Sequence, residues 1–290
     1  MELPLNYAVL FVFGLAIGSF INVISLRYQP GQKLLDRKVI SGRSHCPICL
    51  KTLAWYELIQ ILSFFLQKGK CRNCGYRLSL QYPLVELLSG LIFVFIPWHL
   101  SNLQLFLLTP DFSLLTSLIW IIIFLLFLLL SIIDFRQYII PNSINLSLVV
   151  LGIILLIINH QLPIANYSFL GHYAMLFDIQ RSAVVQHTAA AFLAMTFFGL
   201  IIVLSRGKAM GWGDFKLAGV LGLIFGWPDI ILVLFLAFFV GAFFSILLLI
   251  QKKKKIKEAV PFGPFLAIGA FLTFFFGYQI VDIYFRLFGL

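Results

Sequence analysis

Only 11 acidic side chains occur in the 290 residues, and two of them stand in unusual company. Asp134 closes an apolar run in Ser131-Ile-Ile-Asp-Phe-Arg-Gln-Tyr-Ile-Ile-Pro141, and Asp214 lies in Gly211-Trp-Gly-Asp-Phe-Lys216. A carboxylate at a helix C-terminus opposes the macrodipole, and ionisable groups at membrane depth are costly and usually functional. Asp134 therefore calls for a chemical reason. Asp214 has a simpler reading as the N-cap of the helix that follows. Two aspartates able to converge have the makings of an acid/base pair. At close range they cannot both ionise, so one stays protonated. The charged one takes a proton from water while the neutral one polarises a carbonyl. Gly211 and Gly213 would let a substrate backbone approach Asp214 closely.

A second chemistry is written in the cysteines. All four form two Cys-x-x-Cys knuckles, Cys46-Pro-Ile-Cys49 and Cys71-Arg-Asn-Cys74, with 21 residues between them. The separation is one residue beyond the usual four-thiolate window, but two such pairs suit one tetrahedral ion, and a closed, structural zinc site is expected. Gly75 fits the tight turn after the second knuckle. Disulfides are disfavoured on a reducing cytoplasmic side. His45 is redundant beside four thiolates, and the remaining histidines lack ligand spacing. Glu86 reads either as an N-terminal helix charge or as a weak cofactor-binding candidate. Glu57 reads as a solvent-side residue of the cysteine segment.

The elements that must position these groups belong to a membrane protein. The chain is 61% hydrophobic and 11% charged, with a mean hydropathy of +1.03. A soluble domain has about 45–50% apolar and about 25% charged residues. Uncharged runs such as Ile119 to Ile133 read as bilayer spans rather than core helices. Met1 to Tyr7 carries no basic residue and runs into a full span, so no cleavable signal is expected. The expected architecture is all-α and polytopic, with about eight transmembrane helices: Leu5–Leu26, Pro83–Leu107, Leu114–Ile133, Pro141–Ile158, Ala183–Leu204, Phe215–Trp227, Ile230–Ile250 and Pro261–Phe285. Residues 1–26 form the first span and 27–82 the cytoplasmic four-cysteine zinc domain. Residues 83–290 then form a core of about seven helices. The sixth span is short, and Pro228-Asp229 would be its external turn. No internal repeat is visible, and the Phe residues read as lipid-facing.

A net charge of +10 would suggest nucleic acid in a soluble protein. Here the basic residues fall in alternate links, nineteen on one side against Arg181 and Arg286 on the other. The positive-inside rule then places the cysteine domain and both aspartates at the cytoplasmic face, with both termini outside. No nucleic-acid partner is expected, and the Lys252–Lys255 run is topological. The link from Asn159 to Ser182 carries no readable motif.

Taken together, the motifs resemble those of the type IV prepilin peptidases. They comprise Gly18-Ser-Phe-Ile-Asn-Val23 with Arg27, Cys46-Pro-Ile-Cys49 with Trp55 and Glu57, and Gly69-Lys-Cys71-Arg-Asn-Cys74. Tyr82-Pro-Leu-Val-Glu86-Leu, Asp134 to Pro141, Gly211-Trp-Gly-Asp214-Phe-Lys-Leu and Pro261-Phe-Gly-Pro-Phe265 complete the set. The resemblance implies that Asp134 and Asp214 are the catalytic pair of a bacterial inner-membrane aspartyl endopeptidase. Its substrates would be prepilins and pseudopilins with a basic leader, a glycine before the cut and an apolar helix after it. The four-cysteine domain is similar to that of members that also methylate the new N-terminus with S-adenosyl-L-methionine. The sequence departs from the family at Ile59-Gln60, Pro141-Asn142 and Gly207-Lys208-Ala209-Met210, none of which touches the two carboxylates. It shows no cofactor fingerprint of its own.

Three other readings make distinct demands. A transporter would need its acids near the midplane, in broken, repeated spans. A non-catalytic scaffold would tolerate loss of either aspartate. A presenilin-type protease would hold its aspartates deeper and has no use for a zinc domain.

Overall fold

The computed structural model describes residues 3–34, 36–102, 110–161, 169–170, 173, 182–251 and 260–287. Among these the protein is all-α, with no strand and two isolated β-bridges. The helices are α1 (Leu3–Arg27), α2 (Arg37–Ile40), α3 (Leu62–Leu66), α4 (Gln81–Asn102), α5 (Pro110–Gln137), α6 (Asn142–Gln161), α7 (Ala183–Leu204), α8 (Trp212–Phe225), α9 (Asp229–Ile250) and α10 (Gly263–Leu287). A 3-10 turn spans Trp55–Leu58. Among the described residues, six helices are long and apolar enough to cross a membrane: α1, α4, α5, α7, α9 and α10. Two of the eight expected spans fall short of that standard. The apolar stretch of α6, Asn142–Ile158, is shorter, and α8 has 14 residues. The lysine run at 252–255 and Arg181 lie outside the described residues, as does most of the link between α6 and α7.

The chain divides into two compact units, Met1–Leu129 and Leu130–Leu290. In the first, α1 pairs with α4 through small residues one turn apart. A Cβ built on Gly14 would lie 2.8 Å from the Gly90 Cα, and one on Gly18 would lie 2.7 Å from the Glu86 Cα. Such small-xxx-small contacts let membrane helices touch backbone to backbone. Asn22, 2% exposed, donates from Nδ2 to the Tyr82 carbonyl (3.1 Å) and so ties α1 to the first turn of α4. At the end of α1 the Arg27 guanidinium donates to the carbonyls of Ser41, Gly42 and Arg43, anchoring the chain that leads into the cysteines.

In the second unit α8 is the central element, with α6, α7, α9 and α10 all packed on it. Its short length follows: Leu217–Gly222, Ile224 and Phe225 are buried, so it makes its contacts to protein. Gly222 permits the closest approach, since a Cβ there would lie 2.5 Å from the Ala191 backbone of α7. The helix begins three residues before the expected Phe215. It ends at Gly226, whose positive φ of 74° breaks the run. Asp229 is the first residue of α9, after Pro228 at its N-cap. It is 1% exposed and accepts the Phe169 N–H at 3.0 Å from the first turn of α9. The phenylalanines are not all lipid-facing. Phe198 (α7), Phe238 (α9), Phe262 just before α10 and Phe265 (α10) form a contiguous ring cluster, with centroids 4.9 Å apart for Phe238–Phe262. Aromatic pairs at such separations add to simple area burial, and this cluster fixes where α10 starts.

Candidate functional site

Asp134 lies in the last turn of α5, a helix that stops when Tyr138 turns into the left-handed region (φ 56°). The position is dipole-unfavourable, and the side chain is only 4% exposed. The compensation comes from another helix: the backbone N–H of Gly263, first residue of α10, donates to Asp134 Oδ2 at 3.0 Å. Asp214 is half-buried and is not the N-cap of its helix. Gly211 holds that position. Asp214 stands at the third helical residue and reaches back to accept the Gly211 N–H at 3.3 Å. This is half of a capping box, a use of N3 carboxylates that the sequence reading missed. Both carboxylates belong to the second unit. Each therefore has one oxygen held by a glycine N–H at a helix start, α10 for Asp134 and α8 for Asp214.

The glycines play different parts. A Cβ on Gly211 would make only ordinary contact, 3.5 Å from Asp214 Oδ2, whereas one on Gly213 would press on the Ile140 side chain at 3.1 Å. Gly213 therefore lets the α5–α6 connection close against the start of α8. Beside it, Lys216 Nζ donates to Asn142 Oδ1 at 2.9 Å, which joins the first turns of α8 and α6. One turn further along α6, Asn145 is 6% exposed, and neither its amide nitrogen nor its carbonyl oxygen has a hydrogen-bond partner among the described residues. A buried amide left this way is costly. Asn145 carries no signal in sequence, and although Gly263 lies in the Pro261–Phe265 motif, only the tertiary structure brings it to Asp134.

The cysteines meet in the first unit. The Sγ atoms of Cys46, Cys49, Cys71 and Cys74 all lie within 4.8 Å of one another, a set able to hold a metal ion. The two knuckles are built alike. Cys46 N–H bonds the Lys51 carbonyl and Leu50 N–H the Cys46 carbonyl, while Leu53 N–H reaches Ser44. Cys71, Gly75 and Leu78 repeat these bonds to Tyr76, Cys71 and Gly69, and the bridges His45–Thr52 and Lys70–Arg77 match in the same way. A local repeat of period 25 is thus present in backbone geometry, although the sequence shows none beyond the cysteines. The Lys51 N–H lowers the Cys49 thiol to about 6, and the N–H groups of Cys74 and Asn73 lower Cys71. Cys74 receives the Tyr76 N–H, but burial and the neighbouring thiols push it up to about 11.

Glu57 has a structural task, accepting the Ala54 N–H at 2.9 Å and capping the 3-10 turn. Glu86, 8% exposed in α4, accepts the Ile61 N–H at 2.7 Å. Ile61 is itself in the left-handed region (φ 57°), so this bond fixes the segment after the first knuckle onto α4.

The chain matches the Bacterial Peptidase A24 N-terminal domain over residues 12–100 and the Type IV leader peptidase family over residues 121–246. The prepilin leader peptidase/N-methyltransferase of Aeromonas salmonicida is 30% identical, across 97% of this chain and 94% of its own length. The chain belongs to the type IV leader peptidase family. The protein of the same name from Stutzerimonas stutzeri is 30% identical over 94% of this chain and 91% of its own, and that of Bacillus subtilis 29% over 97% and 98%. No solved structure matches. The leader peptidase match encloses Asp134 and Asp214, and the N-terminal match encloses the four cysteines and Glu86. Gly263 lies beyond both matched segments.

Proposed function

We propose that this chain is a membrane aspartyl endopeptidase that removes the leader from type IV prepilins and pseudopilins, with Asp134 and Asp214 as its catalytic pair. The observation that supports the reading is that both aspartates belong to one compact unit and each has a carboxylate oxygen held by a backbone N–H. One aspartate, ionised, accepts a proton from water as the oxygen attacks the scissile carbonyl. The other, protonated, donates to the carbonyl oxygen. Proton return to the leaving amine then breaks the C–N bond. Among the described residues, backbone donors hold each carboxylate and no cation pairs with either, which leaves the pair free to share one proton. The positive-inside distribution supports a site at the cytoplasmic face of the inner membrane, where a basic leader stays in water and the apolar helix lies in the bilayer.

The metal is zinc and its role structural. With Zn–S bonds of about 2.3 Å, a tetrahedral site needs sulfurs roughly 3.8 Å apart, and Cys46 and Cys74 Sγ stand 3.8 Å apart. Four protein ligands close the site, so its contribution is to staple residues 27–82, a segment too small to rely on a core of its own. The new N-terminus is then methylated with S-adenosyl-L-methionine as donor. That activity rests on the names of the relatives and on the likeness of the cysteine segment, and no described residue is assigned to the donor.

The test is purified protein with a prepilin, followed by intact mass of the product with and without S-adenosyl-L-methionine. Loss of the leader mass plus a 14 Da gain, about one methylene, only when donor is present supports both activities. Leader loss alone leaves a peptidase, and an uncut precursor ends the proposal.

A further inference from the structure

We propose that Gly263, at the start of α10 and outside both family matches, is the positioning residue for Asp134, so that the Pro261-Phe-Gly-Pro-Phe265 motif belongs to the peptidase site. The inference rests on the aspartyl-pair reading and deepens it. Three observations meet at this residue. Its N–H donates to Asp134 Oδ2 at 3.0 Å. A Cβ built on it would lie 2.7 Å from that same oxygen and 3.1 Å from Leu130 Cδ2, so any side chain there must push the carboxylate out of place. Finally, its neighbours hold it in place: Phe262 and Phe265 pack into the ring cluster with Phe198 and Phe238, and Gly269 sets α10 directly on the α9 backbone.

The start of α10 thus reaches Asp134 with the positive end of a 25-residue helix. This offsets the unfavourable place of the carboxylate at the end of α5. Gly263 holds Oδ2 and leaves Oδ1 to work on the attacking water. The N–H does not touch substrate; it acts through the carboxylate. Catalysis depends on such orientation, and displacements of about an ångström cost about a hundredfold in rate.

The experiment uses the purified full-length chain in detergent and a prepilin substrate. Gly263→Ala should lower kcat at least tenfold, with KM and the thermal midpoint close to wild type. Ile268→Ala, an exposed position on the same helix, should cleave like wild type. A change confined to KM, or an activity loss that follows a lowered midpoint, would overturn the proposal in favour of a packing role. Should Gly263→Ala fail to fold, the amide proton of Gly263 in [15N]glycine-labelled protein decides instead: it should move upfield in Asp134→Asn, whose neutral amide accepts more weakly, and an unmoved resonance overturns the proposal. Wild-type kcat in Gly263→Ala with an inactive Asp134→Asn removes the positioning role and keeps the pair, whereas activity in both variants removes both.

Discussion

At the residue scale, the reading of the site stands on two carboxylates and the backbone groups that orient them. Asp134→Asn and Asp214→Asn should each reduce leader cleavage by about three orders of magnitude, since each removes one half of an acid/base pair worth about 10²–10⁴. Cleavage rates with matched thermal midpoints check this, and a near-wild-type rate in either variant would end the pair assignment. Gly213 distinguishes two explanations that sequence could not separate. If its small size serves substrate approach, Gly213→Val fails whatever surrounds it. The Ile140 side chain 3.1 Å away argues for packing, so Gly213→Val should lose activity and Gly213→Val with Ile140→Ala should regain a substantial part. Kinetics of the single and double variants give the coupling between the two positions.

At the scale of elements, the twin knuckles offer an internal control. Leu50 and Gly75 hold equivalent places, both with positive φ, 55° and 69°. A left-handed conformation costs an L-residue roughly 1–2 kcal/mol and glycine almost nothing. Leu50 is also well exposed, so its side chain gives up little burial. Leu50→Gly should stabilise the metal-bound segment by about 1 kcal/mol and Gly75→Ala should weaken it by a similar amount. Metal release against rising chelator concentration would show the two midpoints moving in opposite directions, and a shift of the same sign in both would contradict the twin geometry. Glu86 tests the tether of this segment to α4. Glu86→Ala leaves the Ile61 N–H without its partner, and limited proteolysis should cut the chain near Ile61 faster than in wild type. An unchanged digestion rate would mean the bond contributes nothing to order there.

For the whole molecule, the placement of the pair should be readable from the substrate. Moving the precursor's glycine two residues deeper into the apolar helix should abolish cutting, because a dyad at the interface cannot follow it. Mass analysis showing efficient cleavage at the shifted glycine would favour a deeper, presenilin-like site. Much of the architecture was legible beforehand, since apolar runs long enough to span a bilayer need no partner to declare themselves. Among the described residues, six of the eight expected spans are helices long and apolar enough to cross a membrane, and α6 and α8 fall short of that standard. The cysteine cluster was legible because metal ligands recur at fixed spacing, and the two aspartates stood out as candidates because charge among apolar residues is rare. What sequence could not show was decided by chain segments far apart: Gly263 beside Asp134, 129 positions away, Ile140 against Gly213, Glu86 bonding Ile61, and which phenylalanines are buried. None of these leaves a periodic or compositional trace, because each depends on which backbone faces which once the helices have packed. Local spacing determined which residues could do chemistry, and helix packing alone decided what holds each one in position.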